Sequence, residues 1–376
     1  MDLNKTFDTL VVGGGIIGLT VARRLALDGL KVTLLERGAC GREASWAGAG
    51  VLAPRNPHRK DAISALTTWS LERYPQFVAT LLGETGVDPE YDRCGELELL
   101  FTDEAVATAR ADERAGQRVI APDGTNAYRL LSPVDAVALE PAIARDVLGA
   151  LECKVTAQVR NPRLLAALKA SCTRLGVTLH EGQAVRELLQ TGERVSGVRT
   201  DGGEVRAAWT VLCAGAWSST LSPRLTRIMP VHPVRGQMVL LQLDAPSFRQ
   251  IVSRGKTYLV PRRDGHVLLG ATEEHDSGFE KRNTPVGLSD LIGKGLQLAP
   301  GLGTARVAAT WSGLRPGTPD ERPYLGPIPG MDGLIAATGH FRSGLTLAPA
   351  TAEVVAALIS ERDFEIDLSI CRPGRS

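Results

Sequence analysis

The feature that most constrains this chain is a glycine pattern near its start, in the stretch FDTLVVGGGIIGLTVARRLALDGLKVTLLER. Hydrophobic periodicity predicts a buried strand over 7–12, an amphipathic helix over about 16–28 and a second strand over 31–36. Together these segments make one βαβ unit, with a glycine turn between the first strand and the helix. A glycine-rich turn in that position is the context in which GxGxxG indicates a dinucleotide site.

Each glycine of the motif has its own physical purpose. Gly13 permits the tight turn, Gly15 lets the backbone approach a pyrophosphate, and Gly18 allows the helix to pack closely on the strand. The start of the helix then offers free N–H groups and a positive dipole end to the phosphates. Glu36 ends the second strand, where a carboxylate accepts ribose hydroxyls and repels the 2′-phosphate of NADP. The motif alone leaves NAD and FAD both open.

Further α/β units and several hairpins follow. Residues 161–182 predict a helix and a strand, and 194–217 predict a hairpin with an Asp-Gly-Gly turn. A second hairpin over 256–272 turns at an Asp-Gly pair. Near the end, 333–340 predict a buried strand, and a helix is expected over about 347–360. The α/β units therefore occupy both ends and the middle of the chain, with β-rich segments between them.

This arrangement predicts an α/β fold with a discontinuous, Rossmann-like nucleotide-binding domain and an inserted, mainly antiparallel β substrate domain. The predicted boundaries are 1–85, 148–220 and 308–370 for the nucleotide-binding domain, 86–147 and 221–307 for the substrate domain, and 371–376 for a tail.

Composition excludes several classes of function. The net charge of +1 gives no electrostatic reason to expect binding to nucleic acid or to an anionic membrane. The six cysteines are scattered without metal-ligand spacing, so no metal site is predicted. The start MDLNKTFD lacks the features of a signal peptide, and LVVGGGIIGL is too short to span a bilayer. We therefore expect a cytoplasmic protein.

Three further stretches resemble the glycine oxidase branch of the D-amino-acid oxidase family of FAD-dependent oxidoreductases. They are REASWAGAGVLAP (42–54), WSGLRPGTPDERPYLGPIP (311–329) and GHFRSGLTLAPAT (339–351). The resemblance implies non-covalent FAD and oxidation of glycine, other small amines or D-amino acids by hydride transfer from Cα to flavin N5. It also implies O2 as acceptor, an imine and H2O2 as products, a homo-oligomer, and a functional link to thiazole synthase in thiamin thiazole synthesis.

The resemblance also assigns catalytic residues. Arg315 would anchor the substrate carboxylate, Tyr258 would share it, and Arg342 would be a second positive group facing substrate or flavin. A planar guanidinium suits that task because it donates two parallel hydrogen bonds to a carboxylate. The alternatives are a surface ion pair between Arg315 and Asp320 or Glu321, and a packing role for Tyr258. Glu273 could attract the substrate amine, but exposure at a strand end is the expected outcome.

The residues expected to contact FAD lie in the βαβ unit, in 42–54, in 339–351, and at 185 and 214–217. They are Gly13, Gly15, Ile17, Gly18, Glu36, Arg37, Ala44, Ser45, Ala49, Gly50, Val51, Leu52, Val185, Ala214, Gly215, Trp217, Gly339, His340, Phe341, Arg342, Ser343, Gly344, Leu345 and Thr346.

Other functions on the same pattern stay open at this stage. A quinone-linked D-amino-acid dehydrogenase would need a segment that contacts the membrane, and the sequence predicts none. A sarcosine oxidase-like enzyme with a covalent flavin would need a cysteine in 310–317, where none occurs. An NAD-dependent dehydrogenase and a non-catalytic flavin-binding protein are the remaining alternatives, and the presence of Tyr258, Arg315 and Arg342 together argues against the last.

Overall fold

The structure is a computed structural model, and it describes residues 7–55, 57–117, 119–121, 124–245 and 248–375. Residues 1–6, which carry most of the start considered for a signal peptide, lie outside the described residues. The same holds for Ser376 at the end of the predicted tail.

Strands make up two large sheets and one small one. In chain order they are β1 (Phe7–Val12), β2 (Val32–Leu35), β3 (Val51–Leu52), β4 (Glu96–Leu100), β5 (Tyr128–Leu131), β6 (Gly149–Cys153), β7 (Ala157–Gln158), β8 (Thr178–His180), β9 (Val185–Thr191), β10 (Arg194–Thr200), β11 (Gly203–Leu212), β12 (His232–Gln242), β13 (Ile251–Arg254), β14 (Thr257–Pro261), β15 (His266–Gly270), β16 (Arg306–Gly317), β17 (Tyr324–Pro327) and β18 (Leu334–Thr338).

The α-helices of the described residues are α1 (Ile16–Leu27), α2 (Ala44–Ala47), α3 (Ala62–Thr85), α4 (Asp103–Gly116), α5 (Pro133–Leu139), α6 (Asn161–Arg174), α7 (Pro223–Ile228), α8 (Pro285–Leu298) and α9 (Gly344–Ile359). Two 3₁₀ turns, Gly215–Leu221 and Phe341–Ser343, lie next to the site described below.

The first sheet carries the predicted nucleotide-binding unit. Six of its strands run in the order β17-β18-β11-β1-β2-β8 and are parallel neighbours except for the β17–β18 pair. The other two, β10 and β9, extend from β11 in antiparallel pairs. Side chains of β1 alternate between the two faces of this sheet. Val11 packs among α1, α3, α6 and α9, and Leu10 and Val12 pack on the opposite face. The predicted βαβ unit is therefore present, with α1 ending one residue before the predicted position.

The second sheet lies beside the first and is almost wholly antiparallel. Its order is β16-β12-β15-β14-β13-β4-β6-β5, and only β13 and β4 are parallel neighbours. One face packs on α5 and α8 through aliphatic side chains such as Leu259 and Leu291. The other face carries Tyr258 and Met238, which are cross-strand neighbours through Gly270. This second face is therefore available to line a site.

The predicted domain boundaries stay a prediction. Two strands from the segments assigned to the nucleotide-binding domain nevertheless belong to the second sheet. Both β6 and β16 lie mostly in segments assigned to the nucleotide-binding domain, yet each pairs within the second sheet. The chain therefore passes between the two sheets inside those segments.

The last helix begins three residues earlier than the sequence predicts, at Gly344 instead of about Leu347. Pro349 lies inside it and has no N–H to donate to the carbonyl of Leu345. The buried hydroxyl of Tyr74 donates to that carbonyl instead, at 3.0 Å. The helix can therefore extend ahead of its proline.

Candidate active site

A cavity of about 650 Å³ lies between the two sheets. Its wall comprises the glycine turn after β1, the segment around α2, the residues that follow β11 and β18, and the open face of the second sheet. Parallel α/β sheets bind their ligands at the carboxyl ends of their strands, and the cavity lies at that edge of the first sheet. One continuous space thus joins the predicted nucleotide site to the predicted substrate residues.

The glycine turn owes its shape to the absence of side chains. Gly13 has φ +107°, and a Cβ there would lie 2.4 Å from the carbonyl oxygen of Cys213. A Cβ on Gly18 would lie 1.8 Å from the carbonyl oxygen of Gly13. Gly15 precedes the first turn of α1 and supplies no side-chain cap to it. Gly13 and Gly18 therefore permit close packing, while Gly15 leaves the helix N-terminus open toward the cavity.

Two side chains hold this turn in place. The Ser45 hydroxyl accepts a hydrogen bond from the Ile16 N–H at 2.9 Å, at the start of α1. The buried Glu36 carboxylate accepts from the N–H groups of Gly14 at 2.7 Å and Gly38 at 2.9 Å. Glu36 therefore organises the backbone of the turn in addition to presenting a carboxylate at the cavity wall.

Two buried oxygen atoms at the cavity wall, Oδ1 of Asn161 and Oε1 of Gln183, have no hydrogen-bond partner among the described residues. The Asn161 amide already donates to the Ser45 carbonyl at 2.7 Å. A buried polar atom without a partner is costly in a folded protein, and a bound ligand with donor groups removes that cost. The residues present therefore fit a dinucleotide such as FAD. Neither residue could be predicted from the sequence, because no local pattern distinguishes them.

The cavity brings most of the predicted FAD contacts together. Its lining includes Gly13, Gly15, Ile17, Glu36, Arg37, Ala44, Ser45, Ala49, Gly50, Val51, Val185, Ala214, Gly215, Trp217, His340, Phe341, Arg342, Ser343, Gly344, Leu345 and Thr346.

Three predicted contacts lie outside the lining. Gly18 packs against Gly13, and Leu52 is a fully buried member of the core beneath the first sheet. Gly339 has φ +74°, and a Cβ there would meet the Thr318 side chain at 2.6 Å. These residues serve the packing of their motifs, and their direct contact with the cofactor stays a prediction.

The predicted substrate residues also line the cavity. The Arg315 guanidinium lies over Gly236 on the neighbouring strand β12, and its Nη1 donates to the Thr272 carbonyl at 3.1 Å. Burial raises the pKa of Tyr258, with Arg315 acting in the opposite direction, so the phenol stays a neutral donor. The Tyr258 hydroxyl lies 3.9 Å from the Met238 sulfur and also interacts with the Arg315 guanidinium. Both side chains can therefore turn their donors toward a ligand.

The alternative of a surface ion pair for Arg315 is wrong. Asp320 pairs with Arg375 at 2.9 Å, and Glu321 is exposed with φ +56°. Among the residues that the structure describes, no carboxylate forms an ion pair with Arg315. The guanidinium therefore faces the cavity with an unmatched positive charge.

The expectation that Glu273 is exposed is also wrong. Its side chain is only 11% exposed, and it forms an ion pair with Arg342. Lys256 lies 2.7 Å from the same carboxylate and His275 lies 3.2 Å from it. Arg342 is thus held by an acid from the other sheet, at the rim of the cavity.

The N-terminus of α9 points at the same space. Ser343 and Gly344 line the cavity, and Ser343 supplies no side-chain cap. An uncapped helix start stabilises negative charge nearby through its free N–H groups and dipole. His340 lies just behind, buried and 3.0 Å from the Thr351 hydroxyl, and burial lowers its pKa to about 3. His340 is therefore neutral and adds no positive charge to this end of the cavity.

Three further features of the described residues concern metal binding, a nearby acid and the membrane. No cluster of His, Cys, Asp or Glu there could hold a metal ion, and all six cysteines are free. Glu96 reaches the cavity wall, but its carboxyl group is bound to Ser253 at 2.7 Å and Thr156 at 3.2 Å. Within the described ranges, none of the helices has the length and apolar character needed to cross a membrane.

Comparisons with known proteins agree with this arrangement. The model of a family described as FAD dependent oxidoreductase (DAO) matches residues 8–358. The chain is 44% identical over 364 residues to the glycine oxidase of Pseudomonas aeruginosa, covering 95% of this chain and 96% of that protein. It is 36% identical over 370 residues to the bifunctional protein ThiO/ThiG of Synechocystis sp., covering 96% of this chain and 52% of that protein. The solved glycine oxidase of Geobacillus kaustophilus aligns with a TM-score of 0.91 at 28% identity, over 99% of both chains. These findings confirm the predicted fold class.

Proposed function

Because the chain belongs to the DAO family of FAD-dependent oxidoreductases, as its motifs predicted, we propose that it oxidises glycine and other small amines or D-amino acids at Cα. For glycine the overall reaction with O2 and water gives glyoxylate, ammonia and H2O2. The observation that carries this proposal is the position of Arg315 and Tyr258 on the same cavity wall as the glycine turn and the α9 N-terminus.

The elements around the cavity would hold FAD at two ends. The α1 N-terminus and Ser45 suit the pyrophosphate, and Glu36 suits the ribose hydroxyls. Residues 340–346 suit the pyrimidine side of the flavin, because negative charge there is stabilised by a helix start. When bound, the flavin supplies the acceptor for the electrons of the C–H bond and their passage to O2.

Arg315 and Tyr258 would bind the substrate carboxylate. Arg315 keeps its charge without an acidic partner among the described residues, so a carboxylate can accept two parallel hydrogen bonds from it. The neutral Tyr258 hydroxyl would donate a third. Three donors on one carboxylate fix the position of Cα, and such positioning lowers the barrier to hydride transfer.

A side-chain base is not required at Cα in this proposal. His340 is the one histidine in the cavity wall of the described residues, and its ring is buried and bound to Thr351. A substrate amine that binds in its neutral form has already lost its proton to water. The residues of the chain then bind and orient the substrate and keep water away from the buried end of the cavity.

The imine product suggests a further use. Hydrolysis gives glyoxylate and ammonia, whereas capture of the imine would feed thiamin thiazole synthesis, and we propose thiazole synthase as a functional partner. In support, the bifunctional ThiO/ThiG protein joins a region similar to this chain to an additional segment of comparable size. Cytoplasmic localisation and homo-oligomerisation stay predictions of the sequence.

The test is a substrate panel with the purified yellow protein. Glycine, sarcosine, small D-amino acids and their L-enantiomers are supplied under air, and H2O2 and keto acid are measured together. We expect equal amounts of both products, and Arg315→Leu should lower kcat/KM for glycine about tenfold to a hundredfold while retaining FAD. Failure of every small amine to bleach the flavin would contradict the proposal.

A further inference from the structure

Glu273 occupies an unusual position for a carboxylate. It follows Thr272, whose carbonyl accepts the hydrogen bond from Arg315, and its own side chain reaches the cavity wall. Only 11% of that side chain is exposed, whereas the side chains of Lys256 and Arg342 are 64% and 42% exposed. One buried anion is therefore surrounded by cations that reach it from the cavity rim.

The cations near Glu273 differ in whether an acid pairs with them. Lys256 and Arg342 both bind the Glu273 carboxylate, and His275 lies 3.2 Å from it. Arg315 has no ion pair among the residues in the described ranges. Beside Tyr258 the cavity thus offers the Arg315 guanidinium to an incoming anion, whereas Lys256 and Arg342 already share one carboxylate.

We propose that Glu273 determines specificity by occupying a second anion site, formed by Lys256 and Arg342, and so limits the enzyme to monocarboxylates. This inference rests on the proposed function, in which Arg315 and Tyr258 hold the substrate carboxylate. A substrate with a second carboxylate would have to displace Glu273 or lie beside it. Both options cost binding, because a buried anion repels a like charge or loses its partners.

A matched pair of substrates isolates this effect. Sarcosine is N-methylglycine and iminodiacetate is N-carboxymethylglycine, so they differ by one carboxylate at the position that would approach Lys256 and Arg342. Glu273→Gln keeps the size of the side chain and removes its charge. We expect it to raise the ratio of kcat/KM for iminodiacetate over sarcosine by about tenfold or more, the least that one charge-assisted hydrogen bond provides.

Two further variants serve as controls. Glu280→Gln makes the same change in net charge at an exposed acid that pairs with Arg282 outside the cavity lining, and it should leave the ratio unchanged. Lys256→Met in the Glu273→Gln background should remove most of the gain. A gain that survives in full in the double variant would show that Lys256 is not part of the anion site and would overturn the proposal.

The possible failures are distinguishable. If the wild-type enzyme oxidises sarcosine but Glu273→Gln leaves the ratio within twofold, the inference is wrong and the proposed function stands. If no small amine is oxidised, the proposed function is wrong. In that case the binding of acetate and malonate to the wild-type holoenzyme tests the inference without a variant. Their affinities are measured from the changes that each ligand produces in the flavin absorbance. Malonate binding no more tightly than acetate supports it, and malonate binding more than tenfold more tightly overturns it.

Discussion

Gly236→Ala should damage activity without damaging the fold. In the structure a Cβ on Gly236 would lie 2.5 Å from both Nη atoms of Arg315 and 2.6 Å from its Cζ, whereas ordinary contacts begin at 3.4 Å. The backbone at Gly236 is extended and paired in the β12–β16 ladder, so alanine fits the main chain. Since the clash falls on the end of a flexible side chain, the guanidinium shifts and the sheet stays intact.

The magnitude follows from the size of that shift. The guanidinium must move by about 1 Å to restore normal contact distances, and a misplacement of that size at a positioning group can cost roughly a hundredfold in rate. Replacing glycine by alanine in a strand also removes freedom from the unfolded chain, which favours the folded state by about 0.5–1 kcal/mol. We therefore expect kcat/KM for glycine to fall about tenfold to a hundredfold while the urea midpoint stays equal or rises.

A double-variant comparison makes this prediction specific to Arg315. In the Arg315→Leu background, Gly236→Ala should produce little additional loss, because the group that it displaces is gone. The assays are steady-state oxidation of glycine, FAD content by absorbance, and urea unfolding. A Gly236→Ala enzyme with full FAD and kcat/KM within twofold of the wild-type value would refute the reasoning. So would fully additive losses in the double variant.

Three other predictions rest on separate features. Burial lowers the pKa of His340 to about 3, so its contribution to stability is complete above pH 6.5 and is lost as the pH falls toward 3, because the unfolded state binds the proton first. Between pH 6.5 and 5 the free energy of unfolding of the wild-type protein should fall about 1.5 kcal/mol more than that of His340→Asn. Parallel curves of unfolding free energy against pH for the two proteins would contradict this. Tyr74→Phe leaves the Leu345 carbonyl without its donor and should cost about 1–3 kcal/mol in urea unfolding, whereas an unchanged midpoint would show that the carbonyl has another partner. All six cysteines are free and none lies in 310–317, so acid precipitation should release FAD into the supernatant, and a yellow pellet would contradict non-covalent binding.

Local signals predicted the first part of the fold well. The βαβ unit could be placed because its strands and helix differ in hydrophobic period and because glycines mark their junction. The hairpin strands β14 and β15 could likewise be placed from their Asp-Gly turn. These features depend only on residues close together in the sequence.

The features that the sequence missed depend on distant residues. Glu273 looked like an exposed strand end, but its partners Lys256 and Arg342 come from a turn before β14 and from the segment after β18. The helix α9 starts three residues ahead of the predicted position, and the Tyr74 hydroxyl that binds the Leu345 carbonyl left free by Pro349 lies 271 residues away from Leu345.

Motif residues can serve the packing of a site as well as contact with its ligand. Gly18 of the glycine turn, and Leu52 and Gly339 of the stretches that carry the family resemblance, take part in helix packing, the core and a loop. A motif preserves the shape of a site, so these residues act through the backbone, and their direct contact with the cofactor stays a prediction.

The strand order of the first sheet has a consequence for how this enzyme is made. Thr9 on β1 pairs beside Trp209 on β11, and β11 in turn pairs with β18. At about 5–20 residues synthesised per second, β1 waits roughly 10–40 s on the ribosome for its partner, with an apolar edge unpaired. Contacts this distant also make folding slow. We therefore expect expression at low temperature, with added riboflavin and co-expressed chaperones, to raise the yield of active enzyme. Stronger expression should raise that yield less.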